Sequence, residues 1–297
     1  MKPHQLKAFL CVAQSHSIRR AADALFITQP AVSRAIRELE AELEVPLFER
    51  GPQGVTLTRY GEAFEHRARL LVEEGERARD ELRQMRDGQL GRVRIAVSSV
   101  PAVTLLPQAL AIFRAQLPLI ALEFSDGLVP MALPALQEGL LDFALLQHKM
   151  DRVGDHFDCE VLLNTPLAVC ARVGHPRGRA RSLAALENEE WVGWDRAMIE
   201  TVFTSNNRPP PQRIAISRSM EITRALVGRG DLVSLFARPM IERDMARHGI
   251  RAIPVRDALP ALTISLVTRR GSVATPAAAR FIAALRSAAG TSGRPLR

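Results

Sequence analysis

Polar and basic side chains recur at one-turn spacing between residues 29 and 37, where Gln29, Ser33, Arg34 and Arg37 alternate with apolar residues. Gln can form paired hydrogen bonds with adenine, Arg with guanine, and Ser with either base. The same residue types also make up the ordinary solvated face of a helix. The side chains alone therefore leave two interpretations open, and the elements that position them must decide between the two.

Apolar residues at helical spacing predict one helix before Ser15, a second after Ser17, and a third that follows Thr28 and extends to Leu43. Ser17 and Thr28 are suitable N-cap residues for the second and third helices. Because only three residues separate these two helices, the pattern predicts a helix-turn-helix. Short apolar stretches around a Gly/Pro turn at residues 46–58 then predict a β-hairpin.

A long helix is predicted over residues 59–86, capped by Thr58. Its charges at spacings of four are typical of an exposed helix. Its apolar residues form a thin, intermittent stripe: Phe64, Leu70, Leu71, Ala78, Leu82 and Met85. Such a stripe favours a partner helix and hence self-association, and packing within the chain is the alternative.

Strand and helix signals alternate after a linker at residues 87–91, which predicts an α/β domain with a parallel, helix-covered sheet. The predicted strands lie at 92–97, 120–124, 142–146, 167–172, 190–194, 214–217, 231–236 and 262–268. The predicted helices lie at 104–116, 130–139, 182–187, 197–204, 219–228, 239–247 and 276–289. We therefore expect three parts, at residues 1–58, 59–91 and 92–297.

Composition excludes several classes of protein. With 297 residues, 47% hydrophobic and 24% charged, the chain is expected to be globular. It contains no apolar run of about 18–20 residues and no signal-peptide core near the N-terminus, so we expect a cytoplasmic protein without a membrane partner. The net charge of +8 does not locate a DNA site, because residues 1–60 carry eight Lys/Arg against six Asp/Glu.

Catalytic and metal-binding patterns are absent from the sequence. The seven histidines form no HxxxH or HExxH motif, and there is no Gly-x-Ser-x-Gly elbow. Cys11, Cys159 and Cys170 are far apart, and their spacing does not match that of metal ligands. These observations favour a binding protein over an enzyme, with no cofactor and no metal.

The N-terminal motifs closely resemble the LysR-type transcriptional regulators. The resemblance rests on Ser17–Leu25 (SIRRAADAL), on Thr28-Gln29-Pro30-Ala31-Val32-Ser33, and on an ordered series that extends to Gly61. It implies a winged helix-turn-helix whose third helix enters the major groove. The DNA-contacting residues it implies are Thr28, Gln29, Pro30, Ser33, Arg34, Arg37, Arg50 and Gln53.

Two positions depart from the family pattern. His16 and Glu44 stand where the family usually has glycine, at the ends of the first and third helices. Helix C-terminal turns often need a positive φ, which glycine adopts most easily. The departures concern the local geometry of these turns and not the expected function.

The remainder of the chain resembles the family's effector domain more loosely, in length and in the order of strands and helices. The resemblance implies two α/β subdomains like those of periplasmic binding proteins, residues 92–164 with 267–297 and residues 165–266. A small effector would bind between them. The hydroxyls of Ser98 and Ser99, together with free N–H groups at the start of the helix that follows, favour an organic anion such as a carboxylate or sulfonate. The implied lining residues are Ser98, Ser99, Val100, Gly127, Gln147, Trp194, Asp195 and Phe236, with Leu128 and His148 beside them. Trp194 suits a ring but equally suits the core.

The expected function is therefore DNA binding modulated by a small-molecule effector. The expected partners are double-stranded DNA with dyad-symmetric sites, the effector, RNA polymerase, and further copies of the chain that form a dimer or a tetramer through residues 59–86. An enzyme and a solute-uptake protein are the alternatives, but neither accounts for residues 1–86.

Overall fold

The computed structural model describes residues 1–51, 54–87, 91–148 and 154–292. The N-terminal elements are α1 (Pro3–Ser15), α2 (Ile18–Leu25), α3 (Gln29–Leu43), β1 (Phe48–Gly51) and β2 (Gly54–Leu57). The apolar faces of the three helices meet in one core that includes Val12, Ala21 and Val32. Strands β1 and β2 pair antiparallel and form the wing. The predicted winged helix-turn-helix is confirmed.

Three residues that end these helices adopt the left-handed conformation. His16 after α1 has φ 52°, Phe26 after α2 has φ 55°, and Glu44 after α3 has φ 58°. A left-handed conformation costs a residue with a side chain about 1–2 kcal/mol relative to the right-handed one. The chain therefore makes the turns that glycine usually makes, and the helix-turn-helix geometry is retained at both positions where the family pattern differs.

Helix α4 (Arg59–Asp87) follows the wing. Thr58 begins it as predicted, because its Oγ1 accepts a hydrogen bond from the Gly61 N–H at 3.1 Å and donates one to the Pro46 carbonyl at 2.6 Å. The apolar residues that we treated as one stripe are divided among three faces. Phe64 packs in the DNA-binding core against Phe9, and Leu70 lies beside Gly139 of the next domain. The side chains of Leu71, Ala78, Leu82 and Met85 are exposed.

The C-terminal domain is built from helices and strands that are arranged around two long strands, β6 and β11, defined below. The first elements are β3 (Arg92–Val97), α5 (Ser99–Thr104), α6 (Leu106–Gln116), β4 (Ala121–Asp126), α7 (Val129–Gln137) and β5 (Phe143–His148). Then follow β6 (Phe157–Arg172), β7 (Glu190–Gly193), α8 (Arg196–Thr204), β8 (Ile214–Ile216), α9 (Met220–Arg229), β9 (Leu232–Ala237), α10 (Arg238–Arg243), β10 (Ile250–Ala252), β11 (Ala261–Arg269) and α11 (Pro276–Ser292). Short 3-10 helices lie at Leu183–Leu186 and Met245–His248.

Two blocks of parallel strands are joined by two antiparallel strands. The strand order is β4-β3-β5-β11-β6-β9-β7-β8, with β10 paired to β6. Strands β3, β4 and β5 are parallel, and so are β7, β8 and β9. Strands β6 and β11 run antiparallel to each other from one block to the other. We call the β3–β5 block, with α5–α7 and α11, subdomain I, and the β7–β9 block, with α8–α10, subdomain II.

Some predicted elements differ from the observed ones. The helix predicted at 104–116 begins earlier, at Ser99, and is interrupted at Leu105, so it forms α5 and α6. The strand predicted at 167–172 begins at Phe157, because β6 spans both subdomains. The helix predicted at 239–247 ends at Arg243 and continues as a 3-10 helix. Among the described residues, no helix is long and apolar enough to cross a membrane.

Candidate nucleic-acid interface and effector site

Helix α3 presents a polar face on the outside of the helix-turn-helix. Val32 and Ile36 are buried against α1 and α2, and Leu39 is buried against α1 and α4. Gln29, Pro30, Arg34 and Arg37 are exposed, as is Thr28 just before the helix, and Ser33 is half-buried. The side chains that can hydrogen-bond to base edges therefore share one accessible surface at the N-terminal half of α3, which is the part of such a helix that enters the major groove.

The two arginines of this face are held by short-range contacts. Arg34 Nε donates to Glu38 Oε1 at 2.8 Å, and Arg37 Nε donates to the Ser33 carbonyl at 3.3 Å. The bond from Arg34, with a second from Gln5 Nε2 at 3.1 Å, lowers the pKa of Glu38 from its ordinary value. The Arg34 side chain is 77% exposed. An ion pair this exposed contributes little stability, so Arg34 can exchange Glu38 for another acceptor at small cost.

One predicted DNA-contacting residue lacks a predicted hydrogen bond, and the side chains of two others lie outside the described residues. Thr28 occupies the N-cap position of α3, but its side chain makes no capping hydrogen bond, which corrects the predicted cap. By contrast, Ser17 Oγ caps α2 by accepting from the Arg20 N–H at 3.3 Å. Arg50 lies in β1 opposite Val55, and its side chain is outside the described part of the chain, as is all of Gln53.

A groove between the α1–α2 turn and the wing was missed by the sequence interpretation. It has a volume of about 510 Å³ and is lined by His16, Ser17, Arg20, Gly54 and Val55, among others. The Val55 N–H donates to the His16 carbonyl at 3.2 Å, which fixes the wing against the turn. A Cβ atom on Gly54, whose φ is 113°, would lie 2.8 Å from the same carbonyl, so glycine is required there. The motif indicated a wing, but the contact depends on tertiary packing.

In the C-terminal domain, Ser98 has a structural role that the sequence did not indicate. Its side chain is only 4% exposed. Ser98 Oγ donates to the Leu145 carbonyl at 3.1 Å and accepts from the Gln147 N–H at 3.0 Å, which links β3 to β5. Since its only proton is used in this link, Ser98 is not a free donor for an effector.

Three other predicted lining residues are packed against the rest of the domain. Val100 and Phe236 are buried in the core shared by the two subdomains. Gly127 lies against the backbone of Val97 and Ser98, where a Cβ atom would collide with both. These residues shape the ends of the strands, and their side chains offer no polar groups.

Several of the remaining predicted effector-lining residues have side chains that solvent or a ligand can reach. Ser99 and Gln147 are half-buried at the carboxyl ends of β3 and β5, and Gln147 Oε1 is buried without a hydrogen-bond partner among the described residues. Trp194, after β7, is 36% exposed, so it is not part of the core, which contains Trp191 instead. Asp195 caps α8 by accepting from the Met198 N–H at 2.6 Å. Leu128 precedes α7 and is half-buried, and the side chain of His148 lies outside the described residues.

Within the described residues, no group of three or more His, Cys, Asp or Glu side chains is arranged to hold a metal ion. The buried Cys170 thiol is inert, because burial raises its pKa to about 12.

Comparison with known proteins establishes the family. A family model described as the bacterial regulatory helix-turn-helix protein, lysR family, matches residues 3–62. A second, the LysR substrate binding domain, matches residues 86–290, which is more than half of the chain. The chain belongs to the LysR family. It is a DNA-binding transcriptional regulator with a substrate-binding domain, as the N-terminal motifs predicted.

Relatives within the LysR family cover nearly the whole chain. The regulator GbpR of Azospirillum brasilense is 28% identical over 311 aligned positions, covering 99% of this chain and 88% of GbpR. The Hca operon transcriptional activator HcaR of Escherichia coli (strain K12) is 28% identical, covering 95% of this chain and 96% of HcaR. Both are named as transcriptional regulators, which agrees with the prediction of a regulator rather than an enzyme.

Solved LysR-family structures have the same fold. The crystal structure of CbnR matches with a TM-score of 0.72 and 23% identity, covering 97% of this chain and 99% of CbnR. Full-length CbnR complexed with its target DNA matches with a TM-score of 0.71 and 22% identity, covering 97% of this chain and all of that one.

Proposed function

We propose that this LysR-family regulator recognises its promoter sites through Gln29, Ser33, Arg34 and Arg37 of α3. The observation that carries the proposal is that Gln29, Arg34 and Arg37 are exposed on the outer side of α3, with the half-buried Ser33 between them. The two arginines supply donors for guanine, and Gln29 supplies both a donor and an acceptor for adenine. The start of α3 near Thr28 is assigned to a phosphate, and Arg50 and Gln53 are assigned to the DNA backbone or the minor groove. Pro30 is kept among the DNA-contacting residues that the family pattern implies.

Helix α4 is assigned to self-association. Leu71, Gly75, Ala78, Leu82 and Met85 are exposed and follow one another at spacings of four, three, four and three residues. Apolar and small residues at this spacing form the seam of a two-helix coiled coil. The alternative, packing within the chain, accounts for Phe64 and Leu70 but leaves these five residues uncovered.

Self-association through α4 determines the form of the DNA site. A two-fold dimer requires two half-sites related by dyad symmetry and separated by whole turns of DNA. We assign the protein to a tetramer of two such dimers in the cytoplasm, where it would act with RNA polymerase. The boundaries at residues 58 and 91 remain predictions within this scheme.

The effector is assigned to a small organic anion between the two subdomains. Ser99 and the first N–H groups of α5 stand at the carboxyl ends of the parallel strands of subdomain I, with Gln147 beside them. Trp194 and Asp195 stand at the corresponding end of β7 in subdomain II. An anion accepts hydrogen bonds from the hydroxyl and the N–H groups, and the exposed indole of Trp194 favours a ring.

A thermal-denaturation screen tests the effector assignment. Purified protein is screened against small carboxylates, sulfonates and their neutral analogues, with Ser99→Ala alongside. A ligand present at about 100 times its Kd stabilises by about 2.7 kcal/mol, which the assay resolves. We expect an anion to raise the Tm of the wild type but not of Ser99→Ala.

The control for this screen is Ser125→Ala, which removes an exposed hydroxyl from β4 and should leave the shift intact. A shift produced equally by neutral analogues, or one indifferent to Ser99, would contradict the anion site while leaving the DNA assignment standing.

A further inference from the structure

The groove between the α1–α2 turn and the wing carries basic side chains. Its volume is about 510 Å³. The described residues that line it are Ser15, His16, Ser17, Ile18, Arg20, Gly51, Gly54 and Val55, and none of these eight is acidic. The sign of the charge on these walls therefore suits an anionic ligand.

The wing forms one wall of this groove without filling it. Gly51 and Gly54 have no side chains, and a Cβ atom on Gly51 would meet no described atom within 4 Å beyond its chain neighbours. The hydrogen bond from the Val55 N–H to the His16 carbonyl, at 3.2 Å, holds the wing against the turn. The groove is thus an open recess between two walls that are joined to each other.

The two serines of the groove are engaged within the turn itself. Ser15 Oγ donates to the Cys11 carbonyl at 2.7 Å, and Ser17 Oγ accepts from the Arg20 N–H at 3.3 Å. By contrast, the guanidinium of Arg20 and the ring of His16 have no hydrogen-bond or ion-pair partner among the described residues. These two side chains are the ones that remain available to a ligand.

Arg20 is not neutralised by its own helix. Asp23 lies three residues further along α2, at a spacing that often allows an ion pair, but within the described part of the chain none joins the two. Both side chains are exposed. Arg20 therefore presents a permanent positive charge and a fork of N–H donors, which matches the oxygens of a phosphate.

His16 reaches the groove from a strained backbone position. Its φ is 52°, and the family pattern usually has glycine there. Of the three left-handed residues that end α1, α2 and α3, Phe26 is apolar and Glu44 is an acid, so His16 is the one whose side chain can donate to a phosphate. Backbone strain that is kept at an exposed residue is typical of functional sites.

The groove lies beside the surface that meets DNA. In a helix-turn-helix, the helix before the recognition helix crosses the sugar-phosphate backbone. That helix is α2 here, and Arg20 lies in its first turn. The wing, on the other side of the groove, is assigned to the backbone or the minor groove. The groove therefore opens between two elements that approach the DNA backbone.

We propose that this groove binds a phosphate of the DNA backbone, with the Arg20 guanidinium and the His16 ring as its donors. The inference rests on the proposed docking of α3 in the major groove. It adds a contact that positions the domain and carries no base preference. Because the family pattern has glycine at position 16, the His16 contact is a feature of this chain.

The test measures binding of the full-length protein to a fluorescein-labelled duplex of random sequence, by fluorescence anisotropy at several salt concentrations. A phosphate contact acts on any sequence, so no promoter needs to be known. We expect Arg20→Met to weaken binding about tenfold. It should also reduce the salt slope by about one for each DNA-binding domain bound, because one counterion fewer is released.

Arg19→Met is the matched control. Arg19 is the exposed neighbour of Arg20 on α2, and it does not line the groove. Its substitution removes the same charge from the same helix, so it corrects for the long-range attraction between the protein and DNA. We expect it to keep the affinity and the salt slope of the wild type.

His16→Gly tests the second contact without endangering the fold, because glycine adopts the left-handed turn freely. We expect it to weaken binding to the same duplex about threefold, which is the scale of one hydrogen bond, and not to lower the Tm. A merely structural role for His16 would not lower the affinity while the thermal stability is kept.

Three results would overturn the inference. They are an unchanged affinity and salt slope in Arg20→Met, an equal fall of the slope in Arg19→Met, and an altered sequence preference in Arg20→Met when sites are selected from random-sequence DNA. The same selection keeps the proposed function apart. A wild type that enriches no sequence would contradict the role of α3, and the salt slopes would still decide the role of the groove.

Discussion

Ser98→Ala should destabilise the effector domain, whereas the same change at the neighbouring Ser99 should not. Ser98 Oγ links two strands of subdomain I through the Leu145 carbonyl and the Gln147 N–H. The Leu145 carbonyl keeps a second donor after the substitution, because it also accepts from the Ser98 N–H at 2.9 Å. The Gln147 N–H loses its hydroxyl partner. The perturbation therefore removes two hydrogen bonds and leaves one donor unpaired.

The magnitude follows from these two effects. A net hydrogen bond contributes about 0.5–1.5 kcal/mol, and an unsatisfied buried group costs about 1–3 kcal/mol. We expect Ser98→Ala to lower the free energy of unfolding by about 2 kcal/mol, which corresponds to about 4–8 °C in Tm for a domain of about 200 residues. Ser99 is half-buried and makes no such link, so Ser99→Ala should remain within about 0.5 kcal/mol of the wild type.

The assay is thermal unfolding followed by tryptophan fluorescence. The only two tryptophans of the chain are Trp191 and Trp194, both next to or within β7, so the signal reports the effector domain and not the DNA-binding domain. This selectivity avoids the assumption that a chain of several domains unfolds in one step. Equal Tm values for Ser98→Ala and the wild type, or a larger loss in Ser99→Ala, would refute the assigned role of Ser98.

Three further expectations follow from single contacts. Leu82→Asp places a charge in the exposed stripe of α4 and should weaken self-association at least about tenfold in sedimentation experiments, while Leu119→Asp, at an equally exposed leucine of the C-terminal domain, should not. Cys170, whose pKa is raised to about 12 by burial, should resist iodoacetamide at pH 8 until the protein unfolds, as measured by mass spectrometry. Arg286 lowers the pKa of Glu160 through a hydrogen bond, so the stability that this pair contributes is present above the ordinary pKa of 4.5 and is lost as pH falls through the lower, folded-state pKa. Denaturation titrations of the wild type and Glu160→Gln should therefore converge in acid.

Each of these expectations has a contradicting result. Unchanged assembly in Leu82→Asp would remove the stripe from the interface. Native labelling of Cys170 would show that its strand is open to solvent. A constant difference between the wild type and Glu160→Gln from neutral pH to acid would mean that Glu160 is not stabilised as a carboxylate by Arg286.

The DNA-binding domain could be predicted from sequence because its information is local. Helical spacing of apolar residues and the Ser17 cap determine α2 and α3, and the turn positions at His16 and Glu44 were identified from the family pattern. Both positions adopt the positive φ that the turns require. Thr28 was a less reliable signal, since a residue type suited to capping does not ensure that the hydroxyl makes the bond.

The effector domain was less predictable because its decisive contacts join residues distant in sequence. Ser98 was assigned to the effector from its position at a strand end, yet its hydroxyl is used by a strand almost 50 residues away. The start of α5 at Ser99 was missed, although proline is well tolerated in a first helical turn and Pro101 stands there. The division of the apolar residues of α4 among three faces could not be predicted either, because spacing alone does not show which residues contact subdomain I.

The central claim is that α3 recognises DNA sequence through its exposed polar face, and site selection with Arg34→Ala tests it most directly. Wild-type protein and Arg34→Ala are each presented with random-sequence duplex DNA. The control is Arg83→Ala, which removes an exposed arginine of α4 that pairs with Asp80 in the same helix. We predict that Arg34→Ala loses the preference for one base pair in each half-site, at a cost of about 1–3 kcal/mol in specific affinity, and keeps its fold and assembly. The same enriched sequence and affinity in Arg34→Ala and the wild type would contradict the claim.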